Sequence, residues 1–248
     1  MVVMANRFMA ESAMYESAAS HAETLVCHAG EAHPFFQVAA SAGIPDLVLA
    51  VFDHNMIAFR VAHSLMPIID AADVTAMFYL ASRVGEEVEI TTAQIARHSG
   101  MSPGYLSSIV LPRLLEGGHV VRLSRGRWKA THGFSSTITH LVTIEAKLNA
   151  WKRALSQATR HAIGADLAWV VLDDHAIKPA LRNLQWFHDS RVGIAGLNAS
   201  GALAVHKSPP SRPSWPLQRL ILTERVTRLY LDGQRTWQWA SLFGSGGV

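Results

Sequence analysis

The chain has 248 residues, a hydrophobic share of 49%, a charged share of 17% and a formal net charge of +3. That apolar content excludes a disordered chain and suits one large domain or two smaller ones with real cores. No apolar run reaches the ~20 residues that cross a bilayer, the first seven residues lack the charged-then-apolar order of a signal peptide, and a lone cysteine, Cys27, cannot close an internal disulfide. A reducing, cytoplasmic setting with no membrane partner is therefore expected.

Residues 9–26 read as a helix with Met14, Ala18, Ala22 and Leu25 on one face. Glu16 in this helix is either an exposed residue or an accessory acid. His21, Cys27, His28 and His33 follow no ordinary zinc spacing. Residues 35–61 read as strands: 35–39, a turn at 41–43, an apolar strand over 44–52, a tight turn at Asp53-His54-Asn55 and a returning strand over 56–61. Pro45 is tolerated at a strand's first residue because its missing donor falls outside the ladder. Asp46 beside it is a turn residue or a metal-binding carboxylate at the strand's edge.

Residues 70–134 have another texture. Asp70 can cap a helix in which Val74, Met77, Phe78, Ala81 and Val84 keep helical spacing, with Gly85 ending it. A short strand at 87–90 follows. Thr91 with Gln94 makes a capping box for a second helix ending at Gly100. Ser102-Pro103 opens a third, to about Glu116, in which Pro112 should kink the chain. Strands over 119–123 and 127–131 pair around Ser124-Arg125-Gly126. Between Gly117 and Phe134 there are four basic residues, Arg122, Arg125, Arg127 and Lys129, and no acid. Such a patch is a solvated loop or a phosphate-binding surface. Helix, strand, helix, turn, helix and hairpin is the order of a winged helix-turn-helix, which reads duplex DNA with its third helix.

The stretch from Tyr105-Leu106-Ser107-Ser108 through Pro112-Arg113 to Gly117-Gly118-His119-Val120-Val121 resembles the recognition helix and wing of Rrf2-type winged-helix regulators, over about sixty residues. The glycine-glycine-tyrosine end of their wing and their cluster-binding cysteines are absent, so iron–sulfur sensing is not implied. As a DNA reader, this segment would use Ser102, Tyr105, Ser107, Ser108, Arg113, Arg122, Arg125, Arg127 and Lys129. Winged helices also serve as protein–protein modules, for which the wing arginines would be surplus.

The second half returns to α/β texture. Residues 140–148 read as a strand with Leu141, Thr143, Glu145 and Lys147 on one face and Val142, Ile144 and Ala146 on the other. Two opposite charges on an apolar strand are costly to bury unless paired or bound to a metal; a structural ion pair, a strand end that reaches solvent and a functional site all satisfy that. Asn149 can cap a helix over 149–162 whose stripe is Trp151, Ala154, Leu155, Ala158 and Ala162, with Gln157 at its edge. A strand at 167–172, a helix at 179–190, a strand at 192–197 and a hairpin strand at 202–206 complete a mixed α/β layer. Four prolines from Pro209 to Pro216 mark a linker, followed by a helix over 217–231 and a tail with Trp237 and Trp239. The helix and tail cover the core or bind a second subunit.

Gly43-Ile44-Pro45-Asp46, Ile144-Glu145-Ala146-Lys147 and a following helix bearing Gln157 resemble the PD-(D/E)XK nuclease superfamily, the restriction-endonuclease-like fold. The resemblance covers 9–61 and 135–206. It departs from the family pattern in that Asp46 and Glu145 lie 99 residues apart, where a short hairpin is usual. The expected architecture is an α/β, restriction-endonuclease-like mixed-sheet core interrupted by a winged helix-turn-helix: core over 1–69 and 135–207, insert over 70–134, linker and C-terminal helix over 208–248. The resemblance implies Mg²⁺, with Mn²⁺ as a substitute, held by Asp46, Glu145 and the Ala146 carbonyl. Lys147 would orient or deprotonate the attacking water, Gln157 would hold the phosphate or Lys147, and Glu16 would be an accessory acid. Double-stranded DNA is the implied substrate, and cutting both strands implies a homodimer. The alternative is a non-catalytic DNA-binding regulator that keeps a nuclease-like fold.

Overall fold

Continuous apolar runs in the central strands leave two sheet faces to cover, and the chain covers them with helices drawn from its beginning, middle and end. The computed structural model describes residues 7–28, 30–84, 89–211 and 214–236; the tail tryptophans, Trp237 and Trp239, the helix end expected at Gly85 and the first half of the strand expected at 87–90 lie outside them.

The first helix is broken. Helices α1 (Ser12–Ala19) and α2 (Ala22–Val26) replace the continuous one expected, with a break at Ser20 and His21, where His21 Nε2 lies 2.6 Å from the carbonyl of Gly201. Strands β1 (Ala32–Phe36) and β2 (Leu47–Phe52) form an antiparallel pair. The strand expected at 56–61 is helix α3 (His54–Ala62). Asp53 decides it: its side chain accepts from the backbone N–H of Asn55 and Met56, an N-cap rather than a tight turn.

Helix α4 (Ala71–Ala81) is capped by Asp70. Strand β3 (Ile90–Thr91) leads into α5 (Thr92–Ser99), which carries the expected capping box and ends on Gly100 at φ 72°. Ser102 caps α6 (Pro103–Tyr105), and a π-helical turn, Leu106–Val110, joins it to α7 (Leu111–Glu116). Pro112 has no N–H for the carbonyl four residues back. The chain widens just before it, and the Leu111 N–H donates to Leu106 O instead, so the helix bulges and continues. Strands β4 (Val120–Ser124) and β5 (Arg127–Ala130) turn at Gly126, and β3 adds to β5, giving a small sheet in the order β3-β5-β4.

Strand β6 (Ile138–Lys147) is followed by α8 (Trp151–His161), β7 (Leu167–Asp173), the short helices α9 (Lys178–Leu181) and α10 (Leu184–Asp189), β8 (Gly193–Leu197), β9 (Leu203–Lys207) and α11 (Pro216–Leu231). Asn149 does not cap α8: Ala150 holds that position without a side-chain bond. The single helix expected at 179–190 is divided into α9 and α10.

The six-stranded sheet runs β1-β2-β6-β7-β8-β9. β2 and β6 are antiparallel, β6, β7 and β8 are parallel, and β9 returns antiparallel. The mixed α/β class expected from the sequence is what the chain forms, with β2 and β6 side by side although the whole of 54–137 lies between them. One sheet face, with Leu49, Val142, Ile144, Trp169 and Ala195, packs on Met14, Ala18, Leu25 and Val26 of α1 and α2. On the other face, Val170 and Leu172 meet Trp151, Leu155 and Phe187, while Val48, Ala50 and Leu141 meet Leu222, Val226 and Leu229 of α11. The segment from α4 to β5 has its own core of Val74, Met77, Leu80, Ile95, Leu106, Leu111, Leu114 and Trp128, completed by Leu220 and Ile221 of α11.

The C-terminal helix is thus part of both cores. It is anchored by a bidentate ion pair, Arg60 with Glu224 at 2.7 Å, and the Ile68 N–H donates to the same carboxylate at 2.8 Å. Arg219 of the same helix pairs with Asp166 at 2.9 Å. Among the described residues no helix is long and apolar enough to cross a membrane.

Candidate active site

Continuing the β2–β6 register one step beyond Leu47↔Ile144 sets Asp46 opposite Glu145. Strand alternation then aims both side chains at the face covered by α8. Asp46 Oδ2 accepts from the Ala146 N–H at 2.9 Å and from Lys147 Nζ at 2.7 Å, across 101 positions of sequence. The other oxygen, Oδ1, accepts from the Tyr15 hydroxyl at 2.9 Å. Lys147 Nζ also lies 3.5 Å from Glu145 Oε2 and 3.3 Å from Glu11 Oε2, and it donates to Ala146 O at 3.1 Å. Glu145 is 1% exposed and Lys147 7%.

The electrostatics follow from burial. Burial pushes the Glu145 carboxyl above the ordinary carboxylate range; His161 and Lys147 pull against it and Asp46 adds to it. Burial pulls Lys147 the other way, but its hydrogen bond to Asp46 and the carboxylates of Asp46, Glu145 and Glu11 win, so its ammonium is held above the usual lysine range. A lysine so held stays charged at neutral pH. In that form it orients an oxygen ligand or stabilises negative charge; taking a proton from water would need the neutral amine, which its carboxylate neighbours oppose. Burial, then Asp46, likewise raises the Tyr15 hydroxyl.

His161, at the end of α8 and 2% exposed, places Nδ1 2.8 Å from Glu145 Oε1. That contact is ionic in range but not aligned as a hydrogen bond, and both Glu145 oxygens lack an aligned donor among the described residues. The histidine fits because position 43 is glycine: at φ +134°, a Cβ there would come within 2.6 Å of His161 Nε2.

Of the residues expected here, Asp46, Glu145, Lys147 and the Ala146 carbonyl come together. Gln157 makes no bond to Lys147: its Oε1 is buried without a partner. Glu16 is exposed and pairs with Arg235 at 3.2 Å, away from the cluster. The acid that α1 brings to the site is Glu11, just ahead of its first turn, with Tyr15 one helical turn on. Their i, i+4 spacing, on the side of α1 next to the buried Met14 and Ala18, was the available signal. His161 was signalled only by its place one turn past Ala158 in the apolar stripe.

Two carboxylates and a carbonyl are hard oxygen ligands of the kind Mg²⁺ takes, usually from one or two carboxylates with waters completing the shell. The unbonded Glu145 oxygens fit that role. Among the described residues no three His, Cys, Asp or Glu side chains form a metal-ligand group, so a cation here would rest on the smaller set.

The expected DNA-contacting residues divide. Ser102, Tyr105, Ser107, Ser108, Arg122, Arg125 and Lys129 are exposed. Arg113, also exposed, reaches back to α4, 2.7 Å from Asp73 and 3.3 Å from Asp70. Arg127 pairs with Glu89 at 2.7 Å. In the hairpin register Arg122 stands opposite Trp128, with its guanidinium 5.7 Å from that ring, whereas Arg127 and Lys129 project from the other face. The basic residues of the hairpin therefore do not form one continuous face.

Nothing among protein-family models, curated proteins or solved structures matches this chain. The site has to be read from its own chemistry.

Proposed function

We propose that this protein is a divalent-metal-dependent DNA endonuclease of PD-(D/E)XK type, with residues 70–134 acting as a winged helix-turn-helix that holds duplex DNA. The observation that carries the reading is one buried ammonium, Lys147, within ion-pair distance of Asp46 and Glu145, which arrive from strands separated by the whole inserted segment. A purely structural ion pair needs one acid, not three.

Asp46, Glu145 and the Ala146 carbonyl would hold Mg²⁺, or Mn²⁺ in its place. When bound, the ion supplies phosphate charge neutralisation and a more acidic water. Lys147 keeps its proton and stabilises the negative charge that grows on the phosphoryl oxygens. Asp46 fixes the Lys147 ammonium, and Tyr15 fixes Asp46. The helix–strand–helix–helix–hairpin order of α4 to β5 supports the DNA-reading part, as do the exposed Ser102, Tyr105, Ser107 and Ser108 at the start of the third helix. Arg125 at the turn and Lys129, on the hairpin face away from Trp128, give phosphate contacts. Cutting both strands calls for a homodimer, which sedimentation at working concentration tests.

The decisive experiment is cleavage of duplex DNA in Mg²⁺ and in Mn²⁺ by wild type and Lys147→Met, alongside duplex binding. Cutting by wild type, and loss of at least 100-fold in the variant with binding kept, is expected, in line with removal of a preorganised charge on the transition state. Equal cutting by both proteins overturns the site assignment. The alternative of a non-cutting DNA-binding regulator draws on the closed state of the cluster, in which Lys147 already fills the space between the acids; duplex binding without cleavage in either metal selects it.

A further inference from the structure

Three histidines near the junction of α3 with the inserted segment each give one ring nitrogen to a backbone carbonyl. His63 Nδ1 lies 2.8 Å from Phe59 O, His119 Nε2 lies 2.7 Å from Met66 O and His132 Nδ1 lies 2.7 Å from Gly133 O. A carbonyl can only accept, so each of those nitrogens carries the ring proton, and in a neutral imidazole the other nitrogen is a bare lone pair. For His119 and His132 the bare nitrogens, Nδ1 and Nε2, face each other at 3.1 Å.

Two lone pairs do not sit at that separation without positive charge between them. The row Met66 O, His119, His132, Gly133 O has three contacts, and two neutral rings bring two protons. The middle contact takes a third proton or a metal ion. The geometry admits the ion. His119 is 2% exposed, and both rings already turn their protonated nitrogens to backbone carbonyls and their bare nitrogens to each other. Neutral imidazole is the ligand form. Two imidazole nitrogens on one tetrahedral zinc, at the usual bond length, stand about 3.3 Å apart. A backbone carbonyl on the far ring nitrogen is the usual support of a metal-bound histidine. Gly117 makes room for the ring, since a Cβ there would lie 2.9 Å from His119 Cδ2.

We propose that His119 Nδ1 and His132 Nε2 are two ligands of a transition-metal ion of the zinc class, at a site separate from the Asp46–Glu145 cluster. It joins the residue before β4 to the segment after β5, beside the loop that follows α3. Water takes the remaining positions on the half-exposed His132 side, and the neutral rings bind without releasing a proton. Among the described residues no third histidine, cysteine or acid completes a ligand group there, so this is an open site rather than a closed four-ligand one.

The test is calorimetric titration of the metal-stripped full chain with Zn²⁺, comparing wild type with His132→Gln, whose folding is checked by circular dichroism. Wild type is expected to bind one Zn²⁺ per chain that the variant has lost, or holds more weakly by more than the roughly 10–100-fold that loss of an outer-shell partner costs. Equal stoichiometry and affinity in the two proteins overturn the site. X-ray absorption of the zinc-loaded wild type reads the same question without a variant: imidazole scattering with nitrogen at about 2.0–2.1 Å supports it, and oxygen scatterers alone overturn it. Neither readout depends on DNA cleavage.

Discussion

Replacing Glu224 by Gln should be the most damaging change to this fold that alters a single functional group. Glu224 is 0% exposed and Arg60 3%, and the carboxylate accepts two guanidinium N–H bonds at 2.7 Å and the Ile68 N–H at 2.8 Å. Removing its charge leaves a buried guanidinium without a counterion, which costs about 3–5 kcal/mol. A domain's whole stability is about 5–15 kcal/mol, so the loss would dominate an unfolding curve. Arg60→Met leaves the opposite charge stranded and should cost a similar amount. The double variant Arg60→Met/Glu224→Leu strands neither. It loses the acceptor for Ile68 N–H, about 1–3 kcal/mol, while shedding the desolvation of both ions, so it should lie within about 2 kcal/mol of wild type. Urea unfolding at pH 7 of wild type, Arg60→Met, Glu224→Leu and the double variant closes the double-mutant cycle. A double variant as unstable as the two single losses added together would refute the claim that the pair is mutually dependent.

Three further outcomes are expected. Burial raises Asp73 from 3.8 to about 6 against the pull of Arg113. The folded state therefore holds this proton more tightly than the unfolded state: the associated stability is complete below the ordinary carboxylate range and lost as pH rises through about 6. That is about 3 kcal/mol that Asp73→Asn should remove from the pH dependence, and a wild-type-minus-variant difference constant from pH 4 to 7 in urea unfolding contradicts it. Gly43→Ala, at φ +134° and with its Cβ driven to 2.6 Å from His161 Nε2, should destabilise by about 1–3 kcal/mol and perturb the His161 ring resonances; an unchanged ring spectrum would show that the contact gives way freely. Arg125→Ala should lower the salt slope of duplex binding by about 1, whereas Arg113→Ala, tied to Asp73 and Asp70, should lower stability and leave that slope unchanged; the reverse pattern would move the DNA surface to the other side of α7.

The parts of the fold that are written locally were legible. Asp70, the Thr91–Gln94 box and Ser102-Pro103 each set a helix start through their own side chains, and unbroken apolar runs gave β2, β7 and β8. The α3 helix was misread because 56–61 alternates well enough for a strand. Only the cap at Asp53 distinguishes the two, and a turn uses the same residue types. The acid-x-lysine strand was visible for the opposite reason: charges on an apolar strand conflict with burial and so stand out. Its partners were not. Glu11, Tyr15 and His161 reach Asp46, Lys147 and Glu145 through the packing of α1 and α8, and nothing in a linear pattern says which of two nearby glutamates, Glu11 or Glu16, faces inward. Arg113 shows the same limit, since its charge is spent on an aspartate forty positions earlier.

Because α11 fills both apolar interiors, neither of its two neighbours is finished until it is in place. On a ribosome it emerges after both of the cores it completes, so the nascent chain passes through a stage in which the sites for Leu220 and Ile221 on one side, and for Leu222, Val226 and Leu229 on the other, stand open to water. A messenger cut short after β9 would yield a product with two uncovered greasy surfaces, prone to aggregate, and excising the inserted segment for separate study would leave it lacking a wall.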